Sequence, residues 1–235
     1  MKRRRPVVAI DGPAGAGKTT VTRQVAENLG YLLVDTGALY RSVALVAEQR
    51  GVDWDDAERV ADVARDLAHR AAIAFEPGPE GGQRVLLEGR DATSAIRRQE
   101  IGQGASKVSA HAGVRAALLD MQRAAGAEGG VVLEGRDIGT VVFPDAEAKF
   151  FLTASVEVRA LRRRDELVAR GAKADLDTVR SEVVERDRRD SERAVAPLLQ
   201  AADAMLVDSS ALSIGEVVEH IVLRVRQVER ELAGQ

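Results

Sequence analysis

The sequence predicts an α/β fold in which a parallel sheet is flanked by helices, and three observations lead to it. Short runs dominated by valine, isoleucine and leucine recur through the chain, beginning with "VVAID" and "YLLVD" and returning late as "GGVVLEGRD", "AKFFLTA" and "AMLVDSS". Stretches with helical spacing of apolar residues stand between them, the alternation expected of a sheet wrapped by helices. A glycine-rich turn joins the first strand to the first helix, at the end of the sheet where such folds gather their ligands.

In chain order, "VVAID" (Val7 to Asp11) reads as a buried strand, and a helix from about Lys18 to Leu29 separates it from the strand "YLLVD". The segment from Thr36 to about Ser106 is more polar and breaks the alternation. Within it "AIAFEPG" and "QRVLLEG" pair around the turn "PGPEGGQ" as a small inserted antiparallel unit. A helix then leads to "GGVVLEGRD" and "AKFFLTA"; two arginine-rich helices, "AMLVDSS" and an amphipathic helix from about Ser213 complete the chain. No low-complexity linker intervenes, so a single domain is expected. Its core would comprise about 1–36, 107–154 and 190–235, with an insert at about 37–106 and a lid at about 155–189 acting as mobile flaps.

With 235 residues, 45% of them hydrophobic, and a net charge of −3, the chain is long enough to bury such a core. The absence of cysteine excludes a disulfide framework and a thiolate metal site. His69, His111 and His220 stand apart and suggest no metal site either. The basic start is followed by only five apolar residues, Pro6 to Ile10, too few for an export segment, and Lys2 to Arg5 read as a solvated tail. No apolar run reaches the roughly 18 residues of a membrane helix, which points to the cytoplasm. Arginines cluster at Arg159, Arg162, Arg163, Arg164 and Arg170, and again at Arg186, Arg188, Arg189 and Arg193. Both clusters are interleaved with acids and lack aromatics, which argues against a nucleic-acid surface and suits an exposed helix face or a polyphosphate clamp.

The glycine turn "GPAGAGKT", Gly12 to Thr19, fills the phosphate-loop pattern, with the required strand before it and helix after it. Gly12, Pro13, Ala14, Gly15, Ala16 and Gly17 let consecutive N–H groups and the helix N-terminus face phosphate oxygens. Lys18 adds a point charge at the β and γ phosphates; Thr19, with Thr20 beside it, opens the helix and its hydroxyl can help hold Mg²⁺, partly through water. A switch or motor would need only water as acceptor, whereas a kinase needs a second anion site. "DTGALYR", Asp35 to Arg41, offers one: Tyr40 and Arg41 fall one turn into the helix after the second strand. There they either close on an acceptor phosphate through a guanidinium fork, or serve as a core tyrosine beside a surface arginine.

Taken in order, "DGPAGAGKTT", "DTGALYR", "EGRDIGTVVFPDA" and "ERDRRDSERAVAPL" resemble the bacterial cytidylate kinases, from about Val7 to Val225. The resemblance implies a three-layer P-loop NTPase fold with a monophosphate-binding insert and a helical lid. It implies ATP-dependent phosphorylation of CMP and dCMP with Mg²⁺, small-molecule substrates only, and a monomer with no nucleic-acid or membrane partner. It also implies residue roles: Ser106, Arg115 and Asp137 at the cytosine edge; Tyr40, Arg41, Arg136 and Arg193 at the acceptor phosphate, with Thr36 nearby; Arg186 and Asp190 at the sugar. A carboxylate, an arginine and a hydroxyl together can match the amino donor and the N3 and O2 acceptors of cytosine. Lys18, Arg136 and Arg193 would be the catalytic cations, since phosphoryl transfer needs positioning and charge neutralisation rather than a dedicated base. Arg159 and Arg163, one turn apart, share a helix face that either covers ATP phosphates on lid closure or forms a solvated ion-paired surface. The alternatives are a broader UMP/CMP kinase and a non-catalytic P-loop regulator.

One feature divides the chain. The letters LEGRD occur twice, at Leu87 to Asp91 and at Leu133 to Asp137, with flanks that diverge at once into "ATSAIRRQ" and "IGTVVFPD". The second copy is expected to carry chemistry through Arg136 and Asp137, and Arg90 and Asp91 of the first to stabilise a turn.

Overall fold

The computed structural model describes residues 3–78, 82–169 and 171–234. Lys2, the middle of the "PGPEGGQ" turn and Arg170 lie outside the described residues. In chain order the elements are β1 (Val7–Asp11), α1 (Lys18–Leu29), β2 (Leu32–Asp35), α2 (Thr36–Gln49), α3 (Ala57–His69), β3 (Ile73–Pro77), β4 (Gln83–Leu87), β5 (Arg90–Asp91), α4 (Gln99–Val108), α5 (Ala112–Gly126), β6 (Val131–Gly135), β7 (Ala148–Thr153), α6 (Val156–Ala169), α7 (Leu176–Glu192), β8 (Met205–Asp208) and α8 (Ile214–Ala233).

Five strands form a parallel sheet in the order β2-β6-β1-β7-β8. Strand β1 is central and buried along its length, and its side chains alternate between two apolar layers. Val8 and Ile10 pack with Val132, Phe150, Val25 of α1 and Ile221 of α8; Val7 and Ala9 pack with Leu133, Ile138, Val142 and Phe143 on the other face. Each fully buried aliphatic side chain contributes about 1.5–3 kcal/mol. That two-sided burial is why the strands read as continuous apolar runs. The C-terminal helix α8 starts at a capping box, in which the Ser213 hydroxyl accepts from Glu216 N and the Glu216 carboxylate accepts from Ser213 N.

The inserted segment differs from the expectation in kind. A second, antiparallel sheet, β3-β4-β5, is present, but helices dominate the segment and it has an apolar core of its own. Leu39, Val43 and Val46 of α2 meet Val60, Ala64 and Leu67 of α3 and Ile101 of α4, all buried. The segment looked polar because its charged residues fall on the outward faces, while the apolar ones converge at helical spacing. Helix α5 joins the same cluster through Val114 and Leu118.

The N-terminal tail also departs from its reading. Arg3 ion-pairs with Asp145 at 3.0 Å and Glu147 at 3.1 Å and lies over the Phe143 ring; Arg5 stacks over Tyr31. Ion pairing and guanidinium stacking dock Arg3, which charge alone marks as solvated, while Arg4 and Arg5 are exposed as expected. Among the described residues no helix is long and apolar enough to cross a membrane.

Candidate active site

The carboxyl ends of β1, β2 and β6, together with α6 and α7, surround one region. The loop from Gly12 to Gly17 runs from β1 into α1, and its carbonyl oxygens are tied back by side chains. Lys18 Nζ donates to Gly12 O at 2.7 Å and Pro13 O at 2.8 Å, Arg159 donates to Ala14 O at 3.1 Å, and Arg162 and the Ser209 hydroxyl donate to Ala16 O at 3.4 and 3.3 Å. A peptide whose carbonyl is held on one side presents its N–H on the other, the arrangement an anion nest requires. The first glycine is obligatory: at φ +151° a Cβ on Gly12 would lie 1.9 Å from Leu152 O.

Glu134, at the end of β6, received no role from the sequence. It is buried, its two oxygens accepting from the Thr19 and Thr22 hydroxyls at 2.9 and 3.1 Å. Burial, with Asp35 nearby, pushes its carboxyl above the ordinary range. Burial and the charge of Arg136 push Lys18 down to about 7. Asp11 was likewise overlooked. Its two oxygens accept from the backbone N–H groups of Ile138 and Gly139, each at 2.8 Å, and so fix the single π-helical turn (Ile138–Val142) directly after Asp137. Burial pushes Asp11 up to about 6. Both omissions have one cause: a strand-terminal acid is common, and only the tertiary pairing shows what it faces.

Beside the loop four arginines converge, each held by an aspartate. Arg41 pairs with Asp35, Arg115 with Asp137, Arg136 Nε with Asp190 Oδ2 at 2.8 Å, and Arg193 with Asp137 at 3.4 Å. Tyr40 lies under the Arg115 guanidinium, 5.4 Å from ring centroid to carbon, and burial raises its hydroxyl's pKa. Arg186 is pushed down to about 10, first by burial and then by Arg136, the mark of crowded positive charge. The Tyr40 hydroxyl, Arg41 Nε, Ser106 Oγ and Arg186 Nε are buried and lack a hydrogen-bonding partner in the protein. Native structures leave few such groups, so four from widely separated sequence positions around one region mark a place made for a polar ligand. The Thr36 hydroxyl, by contrast, is already donated to Glu134 O at 2.7 Å.

The arginine-rich helices place their arginines in different surroundings. Arg159 is 4% exposed and pairs with Asp187 of α7 at 2.7 Å, joining both helices to the phosphate loop. Arg163, one turn on, is half-buried and pairs with Glu166 at 2.8 Å; Arg164, also half-buried, pairs with Asp165, and the exposed Arg188 pairs with Glu185 and Glu192. Arg162, which the sequence marks only as a member of the cluster, reaches Ala16 O and Ser209; its i, i+3 spacing puts it on the same helix face as Arg159.

The profile of the cytidylate kinase family matches residues 8–227. The chain belongs to the cytidylate kinase family. It is 52% identical over 227 residues to the cytidylate kinase of Geobacter sp. (strain M21), covering 97% of this chain and 94% of that one. It is 48% identical to a bifunctional pantoate ligase/cytidylate kinase of Synechococcus sp. (strain JA-3-3Ab), covering 96% of this chain and 41% of that longer protein. A solved structure of an uncharacterized protein from Eubacterium ventriosum ATCC 27560 superposes with a TM-score of 0.50 at 12% identity, over 94% of this chain and 99% of its own, a likeness of fold alone. In this family member the convergent arginines and the phosphate loop stand at the same end of the sheet, the loop following β1 and Arg136 following β6.

Proposed function

We propose that the chain transfers the γ-phosphoryl group of ATP to CMP and dCMP, giving CDP and dCDP, within pyrimidine nucleotide metabolism in the cytoplasm. Supporting this is the cluster of buried, unpartnered polar atoms on Tyr40, Arg41, Ser106 and Arg186, placed beside a phosphate loop in a member of the cytidylate kinase family. The loop N–H groups and Lys18 would hold the donor phosphates. Tyr40, Arg41, Arg136 and Arg193 would hold the acceptor phosphate, each arginine exchanging an aspartate for a phosphate oxygen; Thr36 stands at the start of α2 beside them. Ser106, Arg115 and Asp137 would read the cytosine edge, and Arg186 and Asp190 the sugar.

The catalytic work of Lys18, Arg136, Arg193 and Arg159 is then to align two anions and neutralise the charge that spreads over the transferred group. Arg163, half-buried midway along α6, would add its charge as the lid segment closes and excludes water. The Thr19 hydroxyl beside the Glu134 carboxylate, oxygen donors only, suits Mg²⁺, and these two would hold it, partly through water. When bound, the ion supplies charge neutralisation at the phosphate oxygens.

Initial rates of ADP release with CMP, dCMP, UMP and AMP test the assignment. Uracil replaces the amino donor with an acceptor, which would leave the Asp137 carboxylate facing a carbonyl at a cost of about 1–3 kcal/mol, so UMP should be some tenfold or more poorer. Equal rates with CMP and AMP would remove the reading of Ser106, Arg115 and Asp137, and equal rates with CMP and UMP would make it a broader pyrimidine kinase.

A further inference from the structure

Strand β2 is the edge of the main sheet beside the insert, and among the described residues its outer side has no neighbouring strand. Leu33 C=O and Asp35 N–H flank Val34 on one edge; they are the pair that one residue of an adjacent parallel strand would bond. Instead the side chain of Gln83, the first residue of β4 in the antiparallel sheet, supplies both partners. Its Nε2 donates to Leu33 O at 2.8 Å and its Oε1 accepts from Asp35 N at 3.2 Å. A carboxamide is the one side-chain group carrying the donor and acceptor of a peptide unit.

What this fixes is Asp35. The residue occupies the N-cap position of α2 yet makes no capping hydrogen bond with its side chain. Aspartate is among the best N-caps, and here the carboxylate is turned to Arg41 instead. Gly37 leaves room for that: a Cβ there would lie 3.0 Å from both Asp35 Oδ1 and Arg41 Nη1. Backbone, carboxylate and guanidinium thus form one chain running from the inserted sheet into the acceptor site.

We infer that Gln83 is a positioning residue for acceptor binding: by pairing with the free edge of β2 it sets Asp35, and through Asp35 it aims Arg41. The inference rests on the reading of Arg41 as an acceptor-phosphate ligand, and the experiment separates the two.

Steady-state kinetics with both substrates varied, on Gln83→Met, Arg41→Ala and the double variant, give the test. Gln83→Met keeps length and removes both bonds; KM for CMP should rise about tenfold, while kcat, KM for ATP and Tm stay close to the parent's. In the Arg41→Ala background the same change should have no further effect on KM for CMP. Gln83→Glu, which retains acceptance from Asp35 N but sets a carboxylate against Leu33 O, should raise KM for CMP at least as much. Full additivity of Gln83→Met and Arg41→Ala, a parallel rise of both KM values with a fall in Tm, or wild-type behaviour of Gln83→Glu would each overturn the inference. If Arg41→Ala itself left KM and kcat for CMP unchanged, the acceptor-site reading would fail, whatever Gln83 did.

Discussion

The two LEGRD copies have identical letters and opposite fates. In the second, Leu133 to Gly135 belong to a strand flanked by β1 and β2, every residue of it buried, and the chain then turns inward so that Arg136 meets Asp190 and Asp137 meets Arg115 and Arg193. In the first, Leu87 ends β4, Glu88 and Gly89 make a turn with φ of +52° and +78°, and Arg90 and Asp91 form a two-residue exposed strand. There Asp91 accepts from Thr93 N at 2.9 Å and pairs with Arg84 at 3.1 Å, holding the turn. The difference teaches that identical Arg-Asp letters are set apart by desolvation and convergence, neither of which a pentapeptide encodes.

Parallel substitutions sharpen or break that contrast. The largest effect should come from Arg136→Ala, lowering kcat/KM for CMP by about 10²–10³-fold, with Arg90→Ala staying within about twofold; comparable losses in the two would end the distinction. Next, Asp137→Ala strands Arg115 and Arg193 without their carboxylate, so denaturant unfolding should show a loss of about 3 kcal/mol, against no measurable change for Asp91→Ala. The glycines differ in mechanism. A Cβ on Gly135 would lie 2.6 Å from Ile138 Cδ1 and 3.1 Å from Thr36 Oγ1, an overpacking of about 2 kcal/mol, while Gly89→Ala meets open space and carries only the left-handed backbone penalty of about 1 kcal/mol. Stabilities in the reverse order would contradict the packing seen at β6.

The smallest effect is a proton count. Lys18, beside Glu134 of the buried copy, titrates near 7 in the free protein, below its ordinary value, so it binds its proton less tightly folded than unfolded. Its contribution to stability is therefore full above about 10.5 and lost as pH falls through about 7. Donor phosphates favour the charged form, so ATP binding at pH 8 should take up a fraction of one proton. Calorimetry in buffers of different ionisation enthalpy measures it, and proton release at that pH would contradict the assignment.

Much of the site was legible because its residues sit in contiguous, chemically constrained strings. The phosphate loop needs glycine for backbone approach and lysine for charge, and "DTGALYR" sets Tyr40 and Arg41 at helical spacing after a strand end. The parallel sheet followed from apolar runs buried on both faces. The inserted helices were read as polar, since outward charge masks an apolar stripe when neither partner helix is known, and Arg3 was read as solvated because its aromatic and acidic partners lie some 140 positions away in the chain.

The sequence by itself therefore determined the secondary structure of the core, the anion-binding loop and which LEGRD lies in the distinctive string. Only the tertiary structure decided that Asp11 anchors the turn after Asp137, that Glu134 faces Thr19 and that Gln83 completes the edge of β2. Those pairings join residues 48 to 128 positions apart. Local propensity and pattern reach only a few residues along the chain, whereas burial, and the pKa and hydrogen-bond demands it creates, depends on everything packed around a group.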